Sequence, residues 1–116
     1  MPHIILETTA DLPENANVPD ILDALVAKLS SLESVDSKAV KAYHNLRSVW
    51  AMGGGAPPGF AHCTVMVLSG RPEELRSKIS DEIYAVLREH FAQSLELHEV
   101  GLTLELREMD KATYRK

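Results

Sequence analysis

The chain of 116 residues has a single cysteine, Cys63, which excludes an intrachain disulfide and leaves nothing for a cysteine-based metal cluster. It has no Lys/Arg run longer than two, and a formal net charge of −5 at pH 7 gives no electrostatic footprint for nucleic acid. Apolar stretches stop well short of the ~20 residues that a membrane span needs. No basic region followed by a long apolar run opens the chain, so a secretory signal is not expected and the cytoplasm is the simplest placement. His44, His90 and His98 are scattered without the spacing of zinc ligands, so no metal is expected. The remaining composition, 45% hydrophobic and 25% charged, is that of a folded soluble protein. The length predicts one domain over 1–116, small enough that oligomerisation is a natural way to bury more surface.

Apolar periodicity lays out the elements. Residues 2–8 read as an interior strand, ended by Thr8-Thr9-Ala10-Asp11 and Pro13. The polar segment 12–19 is a loop. Leu22, Leu25, Val26, Leu29 and Leu32 then recur at three- and four-residue spacing and predict a helix over 19–32, with Pro19 and Asp20 suited to its first turn. Ala39 to Tyr43 reads as a short strand and Leu46 to Met52 as a second extended piece. The segment Gly53-Gly54-Gly55-Ala56-Pro57-Pro58-Gly59 is too rich in breakers for either regular element. No Gly-Lys-Ser/Thr follows it, which argues against a phosphate loop and for a hairpin connection. Phe60 to Leu68 is the longest strand-like run. Beyond Ser69-Gly70-Arg71, the residues Pro72, Glu73 and Glu74 open a helix predicted over 72–96, with Leu75, Ile79, Ile83, Val86, Leu87, Phe91 and Leu95 as its apolar stripe. Leu102 to Arg107 alternates as a half-buried strand does, and Asp110 to Lys116 reads as a polar periphery.

Two strand–helix–strand units in succession predict an α+β fold: a four-stranded mixed sheet with two helices on one face. Apolar residues occupy both parities of Ile4-Ile5-Leu6 and of Val65-Met66-Val67-Leu68, so both sheet faces look buried. Covering the second face with neighbouring copies solves this, which predicts an oligomer.

Several residues could carry chemistry. If Met1 is removed, Pro2 becomes a free secondary amine at the head of an apolar strand. Model α-amino groups titrate near ~8, and burial or nearby cations lower that value toward working pH, as abstraction of a proton next to a carbonyl requires. Arg71 lies between a strand end and a helix start, a corner suited to a carboxylate, although an arginine there equally caps the turn. Lys41, inside a short apolar strand, is a second cation, and Arg47 a third. His62 and Cys63 are adjacent and point to opposite faces of a strand, so they cannot pair as base and nucleophile. His3 alternates away from Pro2. Trp50 and Met52 read as core or subunit contact.

The start Met1-Pro2-His3-Ile4-Ile5-Leu6-Glu7 resembles that of the 5-carboxymethyl-2-hydroxymuconate isomerases of the tautomerase superfamily. Phe60-Ala61-His62-Cys63-Thr64 with Ser69-Gly70-Arg71-Pro72-Glu73-Glu74 is similar to that family's strand-to-helix segment. Glu89-His90-Phe91-Ala92 and Leu104-Glu105-Leu106-Arg107-Glu108-Met109-Asp110 are similar to its closing helix and strand. The resemblance implies a tautomerase-like β-α-β repeat, a homotrimer with its sheets facing inward, and the processed Pro2 as catalytic base. Arg71 matches the family's Gly-Arg. Val40-Lys41-Ala42-Tyr43 falls where the family has Ile-Arg-x-Arg, so Lys41 stands at the expected arginine and keeps the charge without the bidentate fork.

On this reading the chain is a cofactor-free isomerase that moves a proton along an unsaturated 2-hydroxy- or 2-oxo-dicarboxylate. Pro2 is the base, Arg71 and Lys41 hold carboxylates, and Phe60 or Trp50 lends the pocket apolarity. No metal or cofactor is called for, because the conjugated 2-oxo group is itself an electron sink, and neither nucleic acid nor a membrane is an expected partner. The alternative is a non-catalytic trimeric binding or scaffold protein of the same fold.

Overall fold

The computed structural model describes residues 2–116; Met1, and with it the question of its removal, lies outside the described residues. The apolar head of the chain forms β1 (His3–Thr9), and Pro13–Asn17 makes a 3-10 turn rather than open loop. Helix α1 (Val18–Ser31) carries Pro19 in its first turn, where a missing N–H is harmless, and buries Ile21, Leu25 and Leu29. After a second 3-10 turn at Ser37–Ala39 come β2 (Lys41–Arg47) and β3 (Gly59–Leu68). Helix α2 (Glu73–His90) begins with two carboxylates at its positive end and closes with Arg88 and His90 at its negative end. A short helix α3 (Ala92–Glu96) precedes β4 (Val100–Met109).

The strand order is β2-β1-β3-β4, with β1 parallel to β2, β3 parallel to β4, and the two pairs joined antiparallel through β1 and β3. This is the expected four-stranded mixed sheet built from two strand–helix–strand units. Register assigns the faces. Ile4 lies opposite Val65 and Leu6 opposite Cys63, and all four are fully buried with Ile21, Leu25, Leu29, Ile79, Ile83, Leu87 and Phe91 under the two helices. The other face carries Ile5, Thr64 and Met66 at its centre. Around them lie Glu7, His62, Thr103, Glu105 and Arg107, with the Glu7–Arg47 and Glu105–Arg107 ion pairs. The second face therefore has an apolar centre with a polar and charged surround.

Three features also differ from the sequence expectation. The two extended pieces, 39–43 and 46–52, are one strand, Lys41–Arg47, and residues 48–52 lie outside the sheet. The glycine-rich segment does not join paired neighbours: β1 lies between β2 and β3, so the connection crosses the end of β1, tied by Trp50 Nε1 donating to Pro58 O at 2.9 Å. The long second helix breaks at Phe91, whose φ of −105° and ψ of 16° leave the helical region while its ring stays fully buried. Residues 110–116 are peripheral as expected, all exposed except Tyr114, and the tail folds back so that Tyr114 meets His3.

Candidate functional site

Antiparallel pairing of β1 with β3 brings the start of one repeat to the end of the other. His3 lies opposite Met66 on β3 and opposite Lys41 on β2, and Pro2 O accepts the Lys41 N–H at 3.2 Å. Pro2 is buried there. Two residues beyond β3, Gly70 turns the chain with a φ of +117°, which glycine adopts freely, and Arg71 follows. One end of the sheet thus gathers the head of β1, the head of β2, and the turn after β3.

The Arg71 guanidinium is only half exposed and is already engaged. Nη1 donates to Leu68 O at 3.2 Å, Nη2 to Ser34 O at 2.9 Å, and Nε to Ser34 Oγ at 3.2 Å. All three acceptors are neutral, so the arginine clamps the segment after α1 to the strand end without losing its charge. Ser34 sits at a φ of +75°, an unusual position for a residue with a Cβ. The two readings of Arg71, turn anchor and free cation, are compatible.

Lys41 is exposed, with its side chain on the face shared with His3. Burial first, and then the Lys41 ammonium, lower the His3 pKa below its ordinary value, so His3 stands as a neutral ring near pH 7. Its Nε2 meets the Tyr114 hydroxyl at 2.9 Å, with the two rings nearly perpendicular. Four ion pairs form among the described residues, and none involves Lys41, Arg71 or Lys111. This end therefore holds three cations with no carboxylate within ion-pair distance among the described residues.

Phe60 is not brought to Pro2 within one chain. It is the second residue of β3, beside the end of β1, about seven residues along the sheet, or roughly 20 Å at strand rise. Trp50 shares that far end. His62 and Cys63 do point to opposite faces: His62 Nδ1 meets Thr103 Oγ1 at 2.7 Å, while Cys63 is buried under the helices and its thiol is pushed up to about 12 by desolvation. A thiol held so firmly protonated is no nucleophile. A cleft of about 350 Å³ runs between α2 and β4, lined by Ser80, Asp81, Tyr84, Leu102, Thr103 and Leu104. It contains none of Pro2, Lys41 and Arg71 and no cation of its own, so we assign the candidate chemistry to the Pro2 end of the sheet. Three residues at that end escaped the sequence reading. Ser34 and Tyr114 carry no motif, and Lys111 sits in a tail whose polarity suggested only solvent.

Known structures share this architecture. A 5-carboxymethyl-2-hydroxymuconate isomerase from Deinococcus radiodurans R1 matches at a TM-score of 0.89 and 29% identity, covering 99% of this chain and 87% of that one. A member of the cis-3-chloroacrylic acid dehalogenase family matches at a TM-score of 0.77 and 14% identity, covering 98% of this chain and 79% of that one, a likeness of fold alone. The fold is that of the tautomerase class. In sequence, the chain is 23% identical over 110 residues to the 5-carboxymethyl-2-hydroxymuconate Delta-isomerase of Escherichia coli, covering 94% of this chain and 87% of that protein. The model of the 5-carboxymethyl-2-hydroxymuconate isomerase family matches residues 2–116, and the chain belongs to that family.

Proposed function

We propose that this chain is a cofactor-independent isomerase that shifts a proton within an unsaturated 2-hydroxy- or 2-oxo-dicarboxylate, of the 5-carboxymethyl-2-hydroxymuconate type met in aromatic catabolism. The observation that carries the reading is the Pro2 end of the sheet. Buried Pro2 shares that end with the head of β2, where Lys41 donates its N–H to Pro2 O, and with the turn that carries Arg71, and neither cation has a carboxylate within ion-pair distance among the described residues. Once Met1 is removed, the Pro2 nitrogen has a lone pair. It takes the proton from the 2-hydroxyl group, the electron pair moves through the conjugated chain, and the protonated amine returns the proton to a carbon further along. Atoms and electrons balance with no oxidant and no second substrate. Arg71 and Lys41 bind the carboxylates and stabilise the negative charge that spreads over the dienolate.

A homotrimer completes the reading. Val49 is 92% exposed, Leu46 52% and Tyr43 46%, all on or just beyond the edge strand β2, and Ile5 and Met66 add an apolar centre to the open sheet face. Burying these against neighbouring copies supplies the area that a small domain lacks, and it offers a route by which Phe60 of one copy reaches Pro2 of another. We place the enzyme in the cytoplasm; no helix among the described residues is long and apolar enough to cross a membrane.

Intact mass of protein purified from its native cells, followed by ketonisation of a 2-hydroxymuconate-type substrate on the same sample, tests the mechanism. The expected result is a mass without Met1 and turnover with an ascending limb in the pH profile of kcat/KM. Full activity in molecules that carry Met1 would defeat it, because an amide nitrogen cannot accept the proton. Light scattering that finds a monomer at micromolar concentration would remove the trimer.

A further inference from the structure

The C-terminal tail crosses the candidate site. Met109 O accepts the Ser69 N–H at 2.9 Å, and the Lys111 N–H donates to Ser69 Oγ at 3.3 Å, fixing the tail to the turn after β3. Asp110 then organises a tight turn: its O accepts the N–H of Thr113 at 3.1 Å and of Tyr114 at 2.9 Å, and its Oδ1 accepts the Ala112 N–H at 2.9 Å. The turn brings Tyr114 back to the head of β1, where its hydroxyl meets His3 Nε2. The Lys111 side chain lies over Gly70, with Nζ 2.7 Å and Cε 3.3 Å from where a Cβ would stand. The ammonium therefore occupies the space that any side chain at 70 would fill, one residue before Arg71 in the chain.

The Lys111 ammonium thus stands over the residue that precedes Arg71, and neither side chain has a carboxylate within ion-pair distance among the described residues. Most of the Arg71 donors are occupied by Ser34 and Leu68. Lys111 makes no side-chain hydrogen bond among the described residues and has three N–H donors to offer. We propose that Lys111 is a substrate-binding residue that shares one carboxylate of a dicarboxylate with Arg71, and that the Tyr114–His3 hydrogen bond is the clasp that positions it. The proposal rests on the reading of the Pro2 end as an isomerase site and adds to it the residue that selects a second carboxylate.

Binding separates the two ideas, since it needs no turnover. Muconate and sorbate share a six-carbon diene and differ by one carboxylate, so the ratio of their Kd values, measured by calorimetry on the full chain, reports recognition of that group. The wild-type protein is expected to prefer muconate, and Lys111→Gln to reduce that preference by about 10- to 100-fold, the range for one charge-assisted contact. Lys111→Arg keeps it. Tyr114→Phe reduces it by a smaller factor in the wild-type background and adds nothing on top of Lys111→Gln, a non-additivity that a merely structural anchor does not produce. An unchanged preference in Lys111→Gln, or a wild-type protein that does not discriminate between the two ligands, overturns the assignment. Failure of the isomerase reading is seen separately, as absent turnover in protein that still binds muconate through Lys111.

Discussion

Replacing Arg71 with alanine removes two things that the structure lets us weigh apart. The first is an anchor. Three hydrogen bonds to Ser34 and Leu68 are lost, at 2.9–3.2 Å, from a side chain that is half exposed. Bonds from a charged donor contribute up to ~3 kcal/mol each, but exposure and non-additivity reduce the sum, so the expected loss of stability is about 1–2 kcal/mol. For a domain of this size that lowers Tm by roughly 3–10 °C, which a thermal melt followed by circular dichroism resolves. The second is the charge. If the guanidinium binds a substrate carboxylate or stabilises the developing dienolate, kcat/KM on a 2-hydroxymuconate-type dicarboxylate falls by about 10- to 1000-fold, or ~1.4–4 kcal/mol. Ser34→Gly separates the two effects. It removes the 3.2 Å contact with Oγ and relieves a backbone held at positive φ, yet leaves both the Ser34 carbonyl and the arginine in place. That variant should keep its activity within a few-fold. Arg71→Ala protein that is folded at the assay temperature and kinetically unchanged would refute the charge role. Equal losses of activity in Arg71→Ala and Ser34→Gly would reduce Arg71 to an anchor.

Three further outcomes follow from the geometry. Lys41→Arg restores the residue type that the family places at the head of the second strand; at an exposed position facing solvent it should fold normally and keep or raise kcat/KM, whereas a loss beyond 10-fold would mean that Lys41 serves another ligand. Phe91→Ala empties a fully buried site at the break between α2 and α3 and should lower stability by about 3–5 kcal/mol in a denaturant titration, with a loss under ~1 kcal/mol excluding its place in the core. Burial lowers the His44 pKa below its ordinary 6.5, so as the pH falls the unfolded chain takes up this proton before the folded one does. The His44 contribution is therefore complete above about pH 6.5 and declines below it, and denaturant midpoints measured from pH 7.5 to 5 should fall less steeply in His44→Gln than in the wild-type protein.

Elements whose packing follows one simple period are legible in the order of the residues alone. The stripe from Ile79 to Leu87 and the alternation of 102–107 each obey a single spacing, the runs 3–7 and 60–68 are continuously apolar and bounded by breakers, and each forms the element expected. The errors fall where two demands compete. Strand β2 is an edge strand with Lys41, His44, Asn45 and Arg47 in its seven residues, so its alternation is too weak to set its limits. Phe91 continues the apolar stripe of α2 in sequence although its backbone leaves the helix, because one buried ring satisfies the core in either conformation. At the candidate site, the residue types are visible in the sequence and their convergence is not. Pro2, Lys41 and Arg71 are separated by 39 and 30 positions, and only the parallel pairing of β1 with β2 and the antiparallel pairing of β1 with β3 bring their backbones to one end of the sheet. Lys111 and Tyr114 depend on a turn around Asp110 that no periodicity announces.

The arrangement of the repeats also explains why only one end of this sheet is suited to the chemistry. With the two strand–helix–strand units antiparallel through β1 and β3, each end of the sheet combines two strand heads from one unit with two strand ends from the other. The far end has its own version of the Pro2 corner: β3 starts at Gly59 where β1 starts beside Pro2, and the turn after β1 carries Asp11 where the turn after β3 carries Arg71. The Asp11 carboxylate crowds Gly59, 2.6 and 2.7 Å from where a Cβ would stand, and the cation at that end, Arg47, is paired with Glu7. A carboxylate in place of a free cation repels an anionic substrate. More fundamentally, the nitrogen of Gly59 is an amide in mid-chain, and no processing that leaves the chain intact can give it a basic lone pair. A chain has one amino terminus, so a fold made of two similar halves can place a terminal amine at only one of its two corners. Lys41, Arg71 and Lys111, which form no ion pair among the described residues, lie at that same end.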